Sequence, residues 1–119
     1  MKSVHGTKFR DLDGKYISEV GKLWPGEKKI AIITAWNPNF KKAPAIQNKR
    51  ANAKLKKVLE TGGEQFQRIN GWWPDESAFE ESFVVEGMTH GVARELCRTF
   101  QQVGYFYAKR NEEIQLTLL

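Results

Sequence analysis

The sequence predicts an α+β fold, a two-layer sandwich in which two helices cover one face of a mainly antiparallel sheet. Three observations carry this prediction. Short apolar runs bounded by turn residues alternate with two longer stretches whose apolar residues recur every three or four positions. The resulting order, strand, helix, strand, strand, helix, strand, strand after an N-terminal arm, is that of helices laid on one side of an antiparallel sheet. With 119 residues and 40% hydrophobic content, the chain has enough for one core and reads as a single domain, residues 1–119.

The arm, residues 1–28, mixes signals. Phe9, Leu12, Tyr16, Ile17, Val20 and Leu23 fall at helical spacings, yet Gly14 and Gly21 interrupt them and Asp11-Leu12-Asp13-Gly14 reads as a turn. A short helix or irregular segment is expected. Trp24-Pro25-Gly26 then turns the chain into a strand from Lys29 to Ala35, whose uncharged Ile30-Ala31-Ile32-Ile33 reads as buried on both faces. Pro38 ends any ladder, so Trp36-Asn37-Pro38-Asn39 is a loop delivered to the surface by a buried strand.

Pro44 suits a first helical turn, and Ala51, Leu55, Val58 and Leu59 form a stripe, giving a helix from about Ala45 to Glu60 capped by Gly62-Gly63. Asn48 and Asn52 share one face of it, with Arg50 on another flank. A strand over Glu64 to Ile69 is expected to break at Asn70-Gly71, and Trp72-Trp73-Pro74-Asp75 to form a wide loop. Adjacent indoles leave an extended chain on opposite faces, so both cannot enter one core. The strand from Glu80 to Glu86 puts Phe83 and Val85 opposite Ser82, Val84 and Glu86. Thr89 is a natural N-cap for a second helix with Val92, Ala93, Leu96, Cys97 and Phe100 on one stripe, running to Val103-Gly104. Tyr105 to Ala108, a turn at Lys109-Arg110-Asn111 and Ile114 to Leu118 alternate as a hairpin.

Composition bounds the chemistry. No run approaches the ~20 apolar residues of a membrane helix, and Met1 to Gly6 lacks the apolar core of a signal peptide, so no membrane role and a cytoplasmic setting are expected. Cys97 is the one cysteine and allows no internal disulfide. With His5 and His90 it makes no familiar zinc spacing, and carboxylates holding magnesium through water are the one alternative to an absent metal; no cofactor is expected. The net charge of +5 is unevenly spread: Lys41, Lys42, Lys49, Arg50, Lys54, Lys56 and Lys57 occur with no acid among them, whereas residues 64 to 86 are acidic apart from Arg68.

The motifs Thr34-Ala35-Trp36-Asn37-Pro38, Asn48-Lys49-Arg50-Ala51-Asn52 with Leu55 and Leu59, Glu80-Glu81-Ser82-Phe83 and Phe100-Gln101-Gln102 resemble the bacterial and phage family known as domain of unknown function 3293, over about residues 29 to 108. Two departures from its pattern stand out: Ala51 splits the usual arginine-asparagine pair, and the tryptophan expected shortly before the glutamate sits at Trp72 or Trp73. The family carries no activity. The resemblance implies that the polar members of these motifs converge.

For an enzyme the case is thin. Ser82 shares a strand face with Glu80 but has no histidine placed as its base, and Glu80 and Glu81 point to opposite sides of a strand. His90 has no neighbouring carboxylate to orient it. A binding module for a nucleotide or nucleotide-derived signal uses more of the residues: Trp36 with Trp72 or Trp73 to stack a base, Asn37, Asn48 and Asn52 to read its edges or a ribose, Arg50 with Lys41, Lys42 and Lys49 to hold phosphate, and Glu80 to orient Arg50 or accept from ligand hydroxyls, with Ser82 a further candidate ligand-binding residue. Nucleic-acid binding through the basic helix 45–60 is the second class. The third is a phage-encoded anti-defence protein that blocks a host partner through its tryptophan loop. The sequence does not fix the oligomeric state.

Overall fold

The computed structural model describes residues 6–14 and 16–119, and the side chains of Tyr16 and Ile17 are outside the description. Seven strands and two helices follow the order β1 (Lys8–Arg10), β2 (Tyr16–Glu19), β3 (Ile30–Ile33), α1 (Ala45–Thr61), β4 (Gln65–Trp72), β5 (Phe79–Glu86), α2 (His90–Thr99), β6 (Gly104–Ala108) and β7 (Gln115–Leu118), with a 3₁₀ turn at Pro38–Phe40. The fold is α+β, as expected. The sheet is antiparallel throughout, in the spatial order β2-β1-β4-β5-β3-β6-β7.

Residue alternation along the buried strands assigns the two faces. Ala31, Ile33, Phe83, Val85, Tyr105 and Tyr107 pack with Leu55 and Leu59 of α1 and Ala93 and Cys97 of α2. Their neighbours Ile30, Ile32, Val84 and Ala108 join Phe9, Ile69 and Ile114 in a second cluster on the other face. That second cluster corrects the picture of a plain two-layer sandwich, which needs one solvated sheet face. Phe9 on β1 and Phe106 on β6 lie four strands apart, about 19 Å in a flat sheet, yet their rings meet edge to face at 5.1 Å. The sheet is therefore curled. Its two edges come together where Leu23 bridges to Glu113, with Gly21 N–H donating to the Ile114 carbonyl at 3.1 Å and Ile114 N–H to the Lys22 carbonyl at 3.0 Å.

Several expectations are corrected. The N-terminal arm forms β1 and β2 around the Asp11–Gly14 turn, in which Gly14 N–H donates to the Asp11 carbonyl at 3.0 Å; the part of the arm expectation on residues 1–5 and 15 lies outside the described residues. Asn70-Gly71 does not break β4, because Gly71 pairs with Phe9 and its missing Cβ leaves room for the Phe9 ring, 3.4 Å from where that atom would be. Helix α2 stops at Thr99, four residues short of Val103. Gln101 takes a left-handed φ of 56° there, and its N–H and that of Gln102 close back on the Arg98 and Cys97 carbonyls. Helix α1 ends the same way at Gly63, φ 70°, as its glycine pair anticipates. Val58 and Val92 are exposed, so the buried stripe of α1 runs instead through Asn48, Asn52, Leu55 and Leu59.

Candidate functional site

Strand β3 delivers Thr34-Ala35-Trp36-Asn37 to one end of the curled sheet, where neighbouring polar atoms hold the loop in place. Thr34 Oγ1 donates to the Glu81 carbonyl at 2.6 Å and accepts from Trp36 N–H at 3.0 Å. Buried Asn52 accepts from Ala35 N–H at 2.8 Å and donates to the same Glu81 carbonyl at 2.7 Å. Asn48 accepts from Asn37 N–H at 2.8 Å while donating to Asn37 Oδ1 at 2.9 Å, and Asn37 Oδ1 also accepts from Ala43 N–H at 2.9 Å. A backbone N–H only donates, so these contacts fix which carboxamide atom is oxygen. Gln102 donates to the Trp36 carbonyl at 3.2 Å.

This bracing holds a costly backbone. Asn37, Asn39 and Phe40 have φ of 48°, 58° and 61°. Asparagine tolerates the left-handed region; phenylalanine does so at a cost of order 1–3 kcal/mol. The loop so held sets Phe40, half exposed, at the rim of a cavity of about 440 Å³ in the mouth of the curled sheet. That volume lies in the usual range for small-molecule pockets.

The cavity walls come from the inner face and the adjoining loops. Phe9, Phe40, Trp73 and Phe106 make them aromatic, Val103 and Leu116 add aliphatic surface, and Thr7, Thr34, Asn37, Glu80, Ser82 and Gln102 supply polar groups. Lys42 and Asp75 complete the charged lining. Trp73 enters this cavity while Trp72, on the opposite face of the chain, packs on Phe79 at 4.7 Å between ring centres and lies beneath the Arg10 guanidinium at 5.3 Å. The loop carrying Trp73 is tied to β1 by Glu76, which pairs with Arg10 and, at 3.1 Å, with Lys8; the Arg10 and Lys8 contacts hold its carboxyl below the ordinary carboxylate range.

Of the residues singled out from sequence, Asn37, Lys42, Trp73, Glu80 and Ser82 line the cavity. Trp36 is half-buried beside it, and Asn48 and Asn52 stand behind the loop with their hydrogen bonds directed to it. Arg50 does not join them: it is exposed on the outward side of α1. Lys41 is exposed beyond the turn, Lys49 reaches Glu81 at 3.5 Å, and Trp72 faces away. Sequence reasoning missed Phe9, Phe106 and Leu116; for Phe106 and Leu116 the alternation of the C-terminal hairpin was the available signal, whereas Phe9 lies on a three-residue strand too short to show one. It also missed Phe40, whose placement depends on a backbone conformation that the sequence does not announce.

Elsewhere, His90 at the start of α2 stacks on Tyr107 at 3.8 Å and its Nδ1 lies 2.6 Å from the Tyr105 hydroxyl. Desolvation first, then Arg94, Lys109 and Lys29, lower its pKa from 6.5. Burial pushes the Cys97 thiol up to about 11, which fits a core residue rather than a nucleophile. Among the described residues no group of three His, Cys, Asp or Glu side chains is placed to hold a metal ion, and no helix is long and apolar enough to cross a membrane.

A walled cavity in a curled antiparallel sheet, with a braced loop at its mouth, defines the class: a small α+β domain built around a preformed pocket. The model of the family described as Protein of unknown function (DUF3293) matches residues 33–104, and the chain belongs to that family. The match takes in the braced loop, α1, β4, β5 and α2, and leaves β1, β2, β7 and nearly all of β3 and β6 outside it. Neither curated proteins nor solved structures give a match.

Proposed function

We propose that the chain is a small cytoplasmic binding protein whose cavity takes a nucleoside or nucleotide-derived ligand. One observation carries this reading: a cavity of about 440 Å³ combines aromatic walls with convergent polar side chains at the end of a braced loop. Aromatic walls suit the faces of a flat heterocycle, and a few placed polar groups suit its edges. The lining charge limits the rest of the ligand. Lys42 is opposed by Asp75 and Glu80, so a single phosphate at the Lys42 rim is accommodated better than a triphosphate chain. Binding without turnover suits sequestration of a nucleotide-derived signal, the anti-defence role open to a phage-encoded protein.

The test is thermal denaturation of the purified chain against nucleosides, monophosphates and triphosphates, with mass spectrometry of any small molecule released on unfolding. A true ligand at a hundredfold excess over Kd adds about 2.7 kcal/mol of stability, a shift of several degrees. Trp73→Ala should remove that shift. No stabilisation by any heterocycle, with nothing released, sinks the proposal.

The outer side of α1 supports a second reading. Arg50, Lys54, Lys56 and Lys57 are all exposed and the helix holds no acid before Glu60, a surface suited to a phosphate backbone. Retention of RNA or DNA that falls steeply with salt, and that Lys54→Glu with Lys57→Glu abolishes, would establish it; salt-independent or absent retention would remove it.

A further inference from the structure

We infer that the ligand carries a single oxyanion on a short arm, a phosphate monoester or a carboxylate, and that Asn37 Nδ2 and Lys42 Nζ receive it at the mouth of the cavity. This rests on the cavity being a ligand site as proposed above, and it gives Asn37 the anion rather than the edge of a base. The ground is a chain of hydrogen bonds that leaves the Asn37 amide one way to point.

Asn37 N–H can only donate, so the Asn48 atom it meets at 2.8 Å is Oδ1. Asn48 Nδ2 is thereby fixed, and it donates to Asn37 Oδ1 at 2.9 Å and to the Ala43 carbonyl at 3.2 Å. Ala43 N–H donates to the same Asn37 Oδ1 at 2.9 Å. With two donors on Oδ1, the polar atom that the Asn37 side chain has left to offer is Nδ2, which makes no hydrogen bond to the chain among the described residues. Lys42 is one peptide bond from Ala43, whose N–H holds Asn37, so its side chain starts beside that carboxamide. Its ammonium makes no ion pair among the described residues. Both residues line the cavity.

The charged lining is divided between two parts of the fold. Asn37 and Lys42 stand on the loop after β3, whereas Asp75 follows β4 and Glu80 opens β5. A ligand anion is repelled from the second side and drawn to the first. There an amide N–H and an ammonium give an oxyanion two charge-assisted hydrogen bonds, stronger than those a neutral carbonyl would receive. The left-handed backbone of Asn37, φ 48°, is one that aspartate also tolerates. Aspartate there would keep the oxygen that Ala43 and Asn48 use and would turn the other atom from a donor into a negatively charged acceptor.

Isothermal titration of the full chain with AMP, adenosine, orotate and uracil tests this, because each pair differs by one oxyanion. The oxyanion should add about tenfold in affinity, the usual worth of one hydrogen bond to a charged group, and the ratio should fall as salt is raised. AMP preferred over adenosine identifies a phosphate arm and orotate preferred over uracil a carboxylate arm; either supports the proposal. Asn37→Asp, with an unchanged melting temperature, should bring that ratio to about one while the neutral member of the pair binds as before. If Asn37→Asp does not fold, Lys42→Met, at an exposed position, should do the same. A folded variant that keeps the full ratio overturns the assignment. Adenosine binding as tightly as AMP, with uracil as tight as orotate, overturns the oxyanion and leaves the pocket reading standing. No binding by any of the four or by the wider nucleoside panel overturns both.

Discussion

Asn52 and Arg50 stand two residues apart on α1 and meet opposite fates. The helix turns about 100° per residue, so one faces the sheet and the other faces water. Asn52 satisfies two buried backbone groups, Ala35 N–H and the Glu81 carbonyl, that have little access to solvent. Asn52→Ala should therefore cost about 1–3 kcal/mol in urea denaturation, since Ala35 N–H is left unpaired while the Glu81 carbonyl keeps its bond from Thr34 Oγ1. Arg50→Ala should stay within about 0.5 kcal/mol, as for an exposed side chain without a buried partner. Equal effects from the two would mean that the loop is not held from α1. Both residues belong to one motif in the sequence, which made them look like a shared ligand set. A carboxamide serves a ligand and a backbone equally well, so residue type alone did not separate these uses.

Among the elements, α1 and β5 were legible from their helical and alternating periods, β3 from its unbroken apolar run, and the Thr89 cap of α2 from residue type; its side chain accepts from Val92 N–H at 3.3 Å. Strands β1 and β2, three and four residues long, are too short to show a period, and their apolar residues also fit a helix. The pairing of β6 with β7 depends on a feature that reads as a mere helix stop. A Cβ on Gly104 would lie 2.4 Å from the Thr117 carbonyl oxygen, a backbone atom that cannot swing aside. Gly104→Ala should thus part the two strands at the cavity wall and cost about 1–3 kcal/mol, the usual penalty of forced overpacking. Denaturant midpoints check this, and an unchanged midpoint would show that the strands separate freely there.

For the molecule as a whole, His90 links stability to pH. It is packed against Tyr105 and Tyr107, with Arg94, Lys109 and Lys29 around it. Its folded pKa is depressed below 6.5, so the unfolded chain takes up a proton more readily. Its contribution is then fully present above the unfolded value and is lost as pH falls from 6.5 through the folded one. Melting temperature should drop more between pH 7 and pH 5 for the natural chain than for His90→Gln, and parallel profiles would contradict this. The sequence by itself determined the α+β class, the two helices, the alternation of β5 and the family motifs, because local periodicity and caps act within a few residues. Only the tertiary structure decided that the sheet curls until Phe9 meets Phe106, which side of α1 is spent on the loop, and that Glu80, Ser82 and Trp73 share one cavity. Those facts depend on contacts between residues far apart in the chain, and a pattern of residue types does not specify which distant strands close on one another.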